Sequence, residues 1–317
     1  MRKSVQAGLD KFRALVLVLL ILFGATSWLA LPVSASSTAL CAEDEVEAAA
    51  SDIPTPYKGA YFHKLMSSSG DWYGVEGVVR FGTPVLDPRR YDPKTDWSFD
   101  GSNVYVGGNA GGEEVDCGLH WEAALDKNGN RLGKGGYIPF YRNGSWNEPD
   151  AEKRVYWYPG ELAQMSVVVD GPGTLKLSIS DPEDSAKTYS MVFLAPRFGM
   201  GLPTSFKRVN DLAQHGNEGK PVVPTESKVV NATWTESYFL WKEQGQIMRV
   251  PINSLHAMVI NLPRSQNIKV SSLAEQSANG GETVSVYGDP KDAQAKGSQL
   301  SFARKSSKRG EKLALRK

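Results

Sequence analysis

Residues 115–125 hold two carboxylates and an imidazole at alternate positions, Asp116, His120 and Glu122. Successive side chains of an extended strand point to opposite faces. On a strand, Asp116, Gly118, His120, Glu122 and Ala124 therefore share one face, and Val115, Cys117, Leu119, Trp121 and Ala123 make an apolar stripe on the other. Residues 73–81 divide the same way, with Glu76 and Arg80 opposite Tyr73, Val75, Gly77, Val79 and Phe81. If both polar faces line the concave side of one curved sheet, they make a charged groove. Glu76, Arg80, Asp116, His120 and Glu122 are then the ligand-binding candidates. An ordinary solvated sheet face with cross-strand charge pairs gives the same pattern. Asp116 with Glu236 or Glu122 is the catalytic alternative, a carboxylate pair of the kind that glycoside hydrolysis uses.

Aromatic residues add a second indication. Tyr137, Phe140, Tyr141, Trp146, Tyr156, Trp157 and Tyr158 fall close together among Gly and Asn. Exposed rings suit sugar faces, and buried rings fill sandwich cores. Trp157 is the expected core residue. Trp146, between Ser145 and Asn147, is the expected exposed one and joins the ligand-binding candidates. The partner these residues fit is a polysaccharide or another envelope polymer.

Several chemistries lack their motifs. The sequence has no G-x-S-x-G elbow, no H-E-x-x-H, no C-x-x-C and no G-x-x-x-x-G-K-[ST] loop. Its four histidines, at 63, 120, 215 and 256, are never within four residues of one another, so a His-built metal site needs distant segments. Asp126, Asn128 and Asn130 alternate as at the start of a calcium loop, but Arg131 stands at the sixth position and Tyr137 at the twelfth. An Asn128-Gly129 hairpin turn is the favoured reading there. No metal and no cofactor are expected. Asn143-Gly144-Ser145 and Asn231-Ala232-Thr233 match the N-glycosylation acceptor pattern.

The elements that must position these residues read as strands. Short β-branched or aromatic segments alternate with Gly, Pro, Asn and Asp from about residue 57 to 287, with hairpin chemistry at Gly171-Pro172-Gly173. That spacing predicts an all-β antiparallel sandwich. Weak helical spacing over residues 206–214 predicts one helix, but no helix recurs after each strand as a βαβ fold requires.

The ends differ from the body. Arg2, Lys3, Lys11 and Arg13 precede or open an apolar run over residues 14–31, which leads into Pro32-Val33-Ser34-Ala35. This is the pattern of a secretory signal (residues 1–35) cleaved after Ala35, so the expected location is secreted or cell-surface, with no transmembrane segment after its removal. Residues 36–56 read as a disordered linker, 57–287 as the sandwich domain, and 288–317 as a basic disordered tail. The tail carries a net +6 and the first 35 residues +3, so a chain of net +1 has a body of net −8. Such a tail suits contact with an anionic surface, and without aromatic interleaving it does not suggest specific nucleic-acid recognition. The only cysteines are Cys41 and Cys117. A bridge and two free thiols are both open.

Five short motifs carry a family resemblance: 103–108 (Asn-Val-Tyr-Val-Gly-Gly), 116–118 (Asp-Cys-Gly), 158–161 (Tyr-Pro-Gly-Glu), 174–177 (Thr-Leu-Lys-Leu) and 231–234 (Asn-Ala-Thr-Trp). Their order resembles the eqolisins, or glutamic peptidases, and is similar to YrpD-like secreted bacterial proteins, over much of residues 70–270. The resemblance implies a concanavalin-like β-sandwich (jelly roll). Eqolisins work through a catalytic Gln and a catalytic Glu, which activate water and stabilise the oxyanion. The matching positions here hold Asp116 and Thr233. Asp donates no amide hydrogen bond, and Thr is no general acid or base at its ordinary pKa. The resemblance therefore implies the fold more than the activity.

Overall fold

The computed structural model describes residues 59–94, 97–125, 131–217 and 220–290. The signal, linker and calcium-like assignments, Cys41 and the tail from residue 291 onward lie outside the described residues. The strands are β1 (Ala60–Met66), β2 (Trp72–Arg80), β3 (Thr83–Val85), β4 (Asp100–Ala110), β5 (Glu113–Leu125), β6 (Arg131–Asn143), β7 (Ser145–Asn147) and β8 (Leu162–Gly171). They continue with β9 (Thr174–Ser180), β10 (Thr188–Leu194), β11 (Thr204–Gln214), β12 (Lys228–Glu243), β13 (Gln246–Pro251), β14 (Met258–Leu262), β15 (Ile268–Ser271) and β16 (Glu282–Tyr287). A single helical turn, α1 (Ala274–Ala278), precedes β16. No described helix is long and apolar enough to cross a membrane.

Two antiparallel sheets form the sandwich. The seven-stranded sheet runs β14-β1-β11-β4-β5-β6-β7, and the nine-stranded sheet runs β10-β9-β8-β2-β12-β16-β15, with β3 and β13 also paired to β12. Alternation explains both. Val115, Cys117 and Leu119 of β5 turn inward with Val75 and Val79 of β2, Ala163, Met165 and Val167 of β8, and Leu175, Leu177 and Ile179 of β9, all fully or almost fully buried. Each Leu- or Val-sized side chain so buried contributes roughly 1.5–3 kcal/mol. Pro172 and Gly173 make the β8–β9 turn, with Gly171 opposite Thr174. Cys117 is a buried free thiol within this core.

The helix expected over residues 206–214 is instead β11, a central strand paired with β1 on one side and β4 on the other. Its period is two: Phe206, Arg208, Asn210 and Leu212 face inward, while Lys207, Val209 and Asp211 face outward. Two flanking ladders outweigh a weak local helical spacing.

One inward residue of β11 is charged. Arg208, 1% exposed, crosses between the sheets to the carboxylate of Glu282 on β16, the hydroxyl of Ser237 on β12 (2.8 Å) and the carbonyl of Gly280 (2.9 Å). Its guanidinium lies 5.1 Å from the Trp234 ring centroid. Glu282 also meets Nε2 of His63 on β1 at 2.8 Å, and His63 Nδ1 lies 2.6 Å from Asn261 of β14. Burial raises the Glu282 pKa, but Arg208 and then His63 outweigh it and hold the carboxyl below its usual range. Removing one member of such a network strands a buried charge. Arg208→Met is expected to lower unfolding free energy by about 3–5 kcal/mol, measured by urea titration of the full chain.

Candidate functional site

Inward alternation leaves an equally ordered outward face on the seven-stranded sheet, and the strand registers arrange it in rows. One row crosses every strand: Met258, Met66, Lys207, Gly107, Asp116, Arg142 and Trp146. The next holds Ile260, Lys64, Val209, Tyr105, Gly118 and Phe140, and the third holds Leu262, Phe62, Asp211, Asn103, His120 and Ile138. Phe62, Tyr105, Phe140 and Val209 form a hydrophobic cluster of their own on this face.

Two glycines make the rows close. Lys207 and Asp116 are two strands apart, with Gly107 between them. A Cβ at Gly107 would meet the Lys207 stem at 3.1 Å and the Val115 carbonyl closer still. The bare position lets Lys207 lie across to Asp116, Nζ to Oδ1 2.6 Å. Gly118 sits between Tyr105 and Phe140, whose rings meet edge to face at 5.9 Å. A Cβ there would fall 2.5 Å from Tyr105 Cα.

Asp116 is almost fully buried and held by Arg142 and Lys207, while Lys207 also holds Glu114. Burial raises the Asp116 pKa, but Lys207 and Arg142 outweigh it and keep the carboxyl below the usual range. Burial lowers Lys207, and Asp116 and Glu114 more than restore it. Burial and neighbouring Lys207 bring Lys64 down to about 8. Burial takes Asp211 up to about 7, although the Asn103 amide donates to it at 3.1 Å. Asp116 is thus a fixed counter-ion with no proton to exchange near neutrality.

Beside this network lies Trp146, 42% exposed. Its ring stacks on Phe140 (4.2 Å, 6°) and meets His120 at 5.0 Å, nearly perpendicular. His120 Nε2 lies 3.2 Å from Glu148, which Arg154 also approaches at 3.3 Å. The His120 hydrogen bond, partly opposed by burial, lowers the Glu148 pKa. His120, Glu122 and Glu148 offer ligand atoms within 4.8 Å of one another, but the Arg154 guanidinium already supplies Glu148 with a cation. At the opposite end of the long row is a cavity of about 680 Å³, walled by Met66, Trp72, Ser205 and Met258 among others.

The sequence candidates separate into two groups. Asp116, His120, Glu122 and Trp146 share the outer face of the seven-stranded sheet. Glu76 and Arg80 are on β2 and Glu236 on β12, both in the nine-stranded sheet. There Glu76 pairs with Arg249 at 2.6 Å, Arg80 donates to the Gly160 carbonyl at 2.6 Å, and Tyr238 donates to Glu236 at 3.3 Å. The single groove expected from β2 and β5 is therefore not formed, because their polar faces look outward from opposite sides of the sandwich. The same separation removes the Asp116–Glu236 catalytic pair. It also parts Asp116 from Thr233, which is on β12 and bonds Thr283. Lys64, Tyr105, Arg142, Lys207 and Asp211 join the site without having been sequence candidates. For Lys207 and Asp211 the available signal was a strand period within residues 204–214.

Trp157 is fully buried and Trp146 exposed, as their settings predict. The two glycosylation acceptors differ. Asn143 donates its amide to Glu113 (2.9 Å) and the Leu194 carbonyl (2.7 Å), whereas Asn231 is exposed at a break in the β12–β16 register.

No family model matches the sequence, and no curated protein matches it significantly. Solved structures give a remote resemblance. Scytalido-glutamic peptidase with a transition-state analogue inhibitor is 10% identical at a TM-score of 0.45, covering 72% of this chain and 98% of its own. SCP-B, a member of the eqolisin family of peptidases, is 10% identical at 0.42 with the same coverage. The alginate lyase from Klebsiella pneumoniae is 12% identical at 0.29, covering 49% of this chain and 55% of its own.

Asp211 gives this face a pH signature. Its folded pKa lies above its ordinary value of 3.8, so the folded chain keeps a proton that the unfolded chain has lost. Stability contributed by this group therefore falls as pH rises from about 4 through about 7. Asp211→Asn is expected to stabilise the protein by about 4 kcal/mol at pH ~8 and hardly at all at pH ~4, measured by denaturant titration at both.

Proposed function

We propose that this protein is exported to the cell surface or medium and there binds a polysaccharide or related envelope polymer, without chemistry, through the outer face of its seven-stranded sheet. The observation that carries this reading is Trp146. One face of its indole rests on Phe140 and its flank on His120, so the ring is held in place while part of it stays exposed. A ring fixed before binding loses little rotamer entropy on binding, and an indole is the side chain best suited to stack on the apolar face of a sugar. Arg142, in register with Trp146, and the Glu148–Arg154 pair supply hydrogen-bonding groups for hydroxyls or carboxylates.

The settings of two candidate carboxylates support a reading without chemistry. Asp116 is locked between two cations, and Glu236 belongs to the other sheet. The basic tail adds a non-specific contact with an anionic surface.

The test titrates the full-length protein with soluble xylan, chitosan, polygalacturonate and alginate, following tryptophan fluorescence. At least one should bind, and Trp146→Ala should weaken that binding about thirtyfold, the loss of an anchor worth ~2 kcal/mol. No binding in the panel, or full binding by the variant, sinks the proposal. Export is tested separately by sequencing the N-terminus of protein recovered from the medium, which should begin at Ser36.

A further inference from the structure

The row Met258–Met66–Lys207–Gly107–Asp116–Arg142–Trp146 crosses all seven strands, six spacings of about 4.8 Å or ~29 Å in all. Each end has an indole beside it, Trp146 from the row itself and Trp72 from β2 of the other sheet. At the β7 end Trp146 is backed by Phe140. At the β1–β14 end Met66 and Met258 wall the 680 Å³ cavity, and so does Trp72. The Trp72 ring packs against Phe239 (5.4 Å) and Trp241 (5.5 Å), and its Nε1 donates to the Ser68 carbonyl (2.8 Å). The cavity pairs these apolar walls with the hydroxyls of Ser69 and Ser205, a mixture suited to a sugar ring with its C–H face and its hydroxyls. Mid-row, Gly107 raises no side chain between the ends, and Lys207 and Asp116 lie buried in the floor.

We infer that the site takes one polysaccharide chain laid across the strands along this row, with Trp146 as one subsite and the Trp72 cavity as the other. This rests on the polysaccharide-binding reading above and adds the direction, the second subsite and a minimum length. A monosaccharide or disaccharide reaches one end only. A chain spanning both makes its second contact intramolecularly, and such linkage strengthens binding about 10²–10⁴-fold.

The experiment uses full-length protein and whichever of the four polysaccharides binds in the panel, as its disaccharide and as size-fractionated oligomers, by isothermal titration. Affinity should climb steeply, by about a hundredfold or more, once the oligomer reaches ~29 Å, and then level off. Met258→Glu and Ser69→Glu, at exposed positions bordering the cavity, should each pull the long-oligomer affinity down toward the disaccharide value. A flat dependence on length, or long-oligomer affinity untouched in both folded variants, overturns the two-subsite inference while leaving binding at Trp146 standing. No binding by any polysaccharide removes both readings together.

Discussion

A guanidinium with almost no exposed surface sits between the two sheets, and the rest of the sandwich is arranged to satisfy it. Arg208 projects from the middle of one sheet and finds its carboxylate, hydroxyl and carbonyl on β16, on β12 and at Gly280. Apolar packing between sheets tolerates sliding, because hydrophobic contact is not directional. Hydrogen bonds to a buried cation do not tolerate it. The network thus sets how β11 lies over β12 and β16, and through His63 it fixes β1 and β14 as well. Those are the strands that carry one end of the outer row.

The outer face obeys a related constraint. Asp116 and Lys207 would each oppose folding if buried alone, and each is acceptable because the other is there. Their contact depends on a position without a side chain, Gly107, lying between them. Gly118 does the same for the neighbouring aromatic pair. Electrostatics and ring packing on this face are therefore both decided by where β4 and β5 omit a Cβ.

Much of the fold was legible in the sequence because period-two alternation is local. Val115, Cys117 and Leu119 could be assigned to the core against Asp116 and His120 from five residues of pattern. The order of strands across a sheet is not local. Residues 73–81 and 115–125 look alike as strings, and nothing in either tells that β2 and β5 belong to opposite sheets. Hence the candidates Glu76 and Glu236 separated from Asp116, while His120 and Glu122 stayed with it on β5 itself and Trp146 two strands along in the same sheet, on β7. Lys207 and Asp211 were obscured by a helical spacing that long-range pairing overrode.

The edge of the seven-stranded sheet has a consequence for when the protein can fold. Among the described residues β1 is the first strand and pairs with β11 and β14, so Met66 waits for both Lys207 and Met258. β2 likewise waits for β8 and β12. A chain emerging from its N-terminus can close early hairpins such as β4–β5, but it cannot complete either sheet until most of it has been made. Such non-local topologies fold slowly, and β1 has no partner strand until β11 (Thr204–Gln214) has been made.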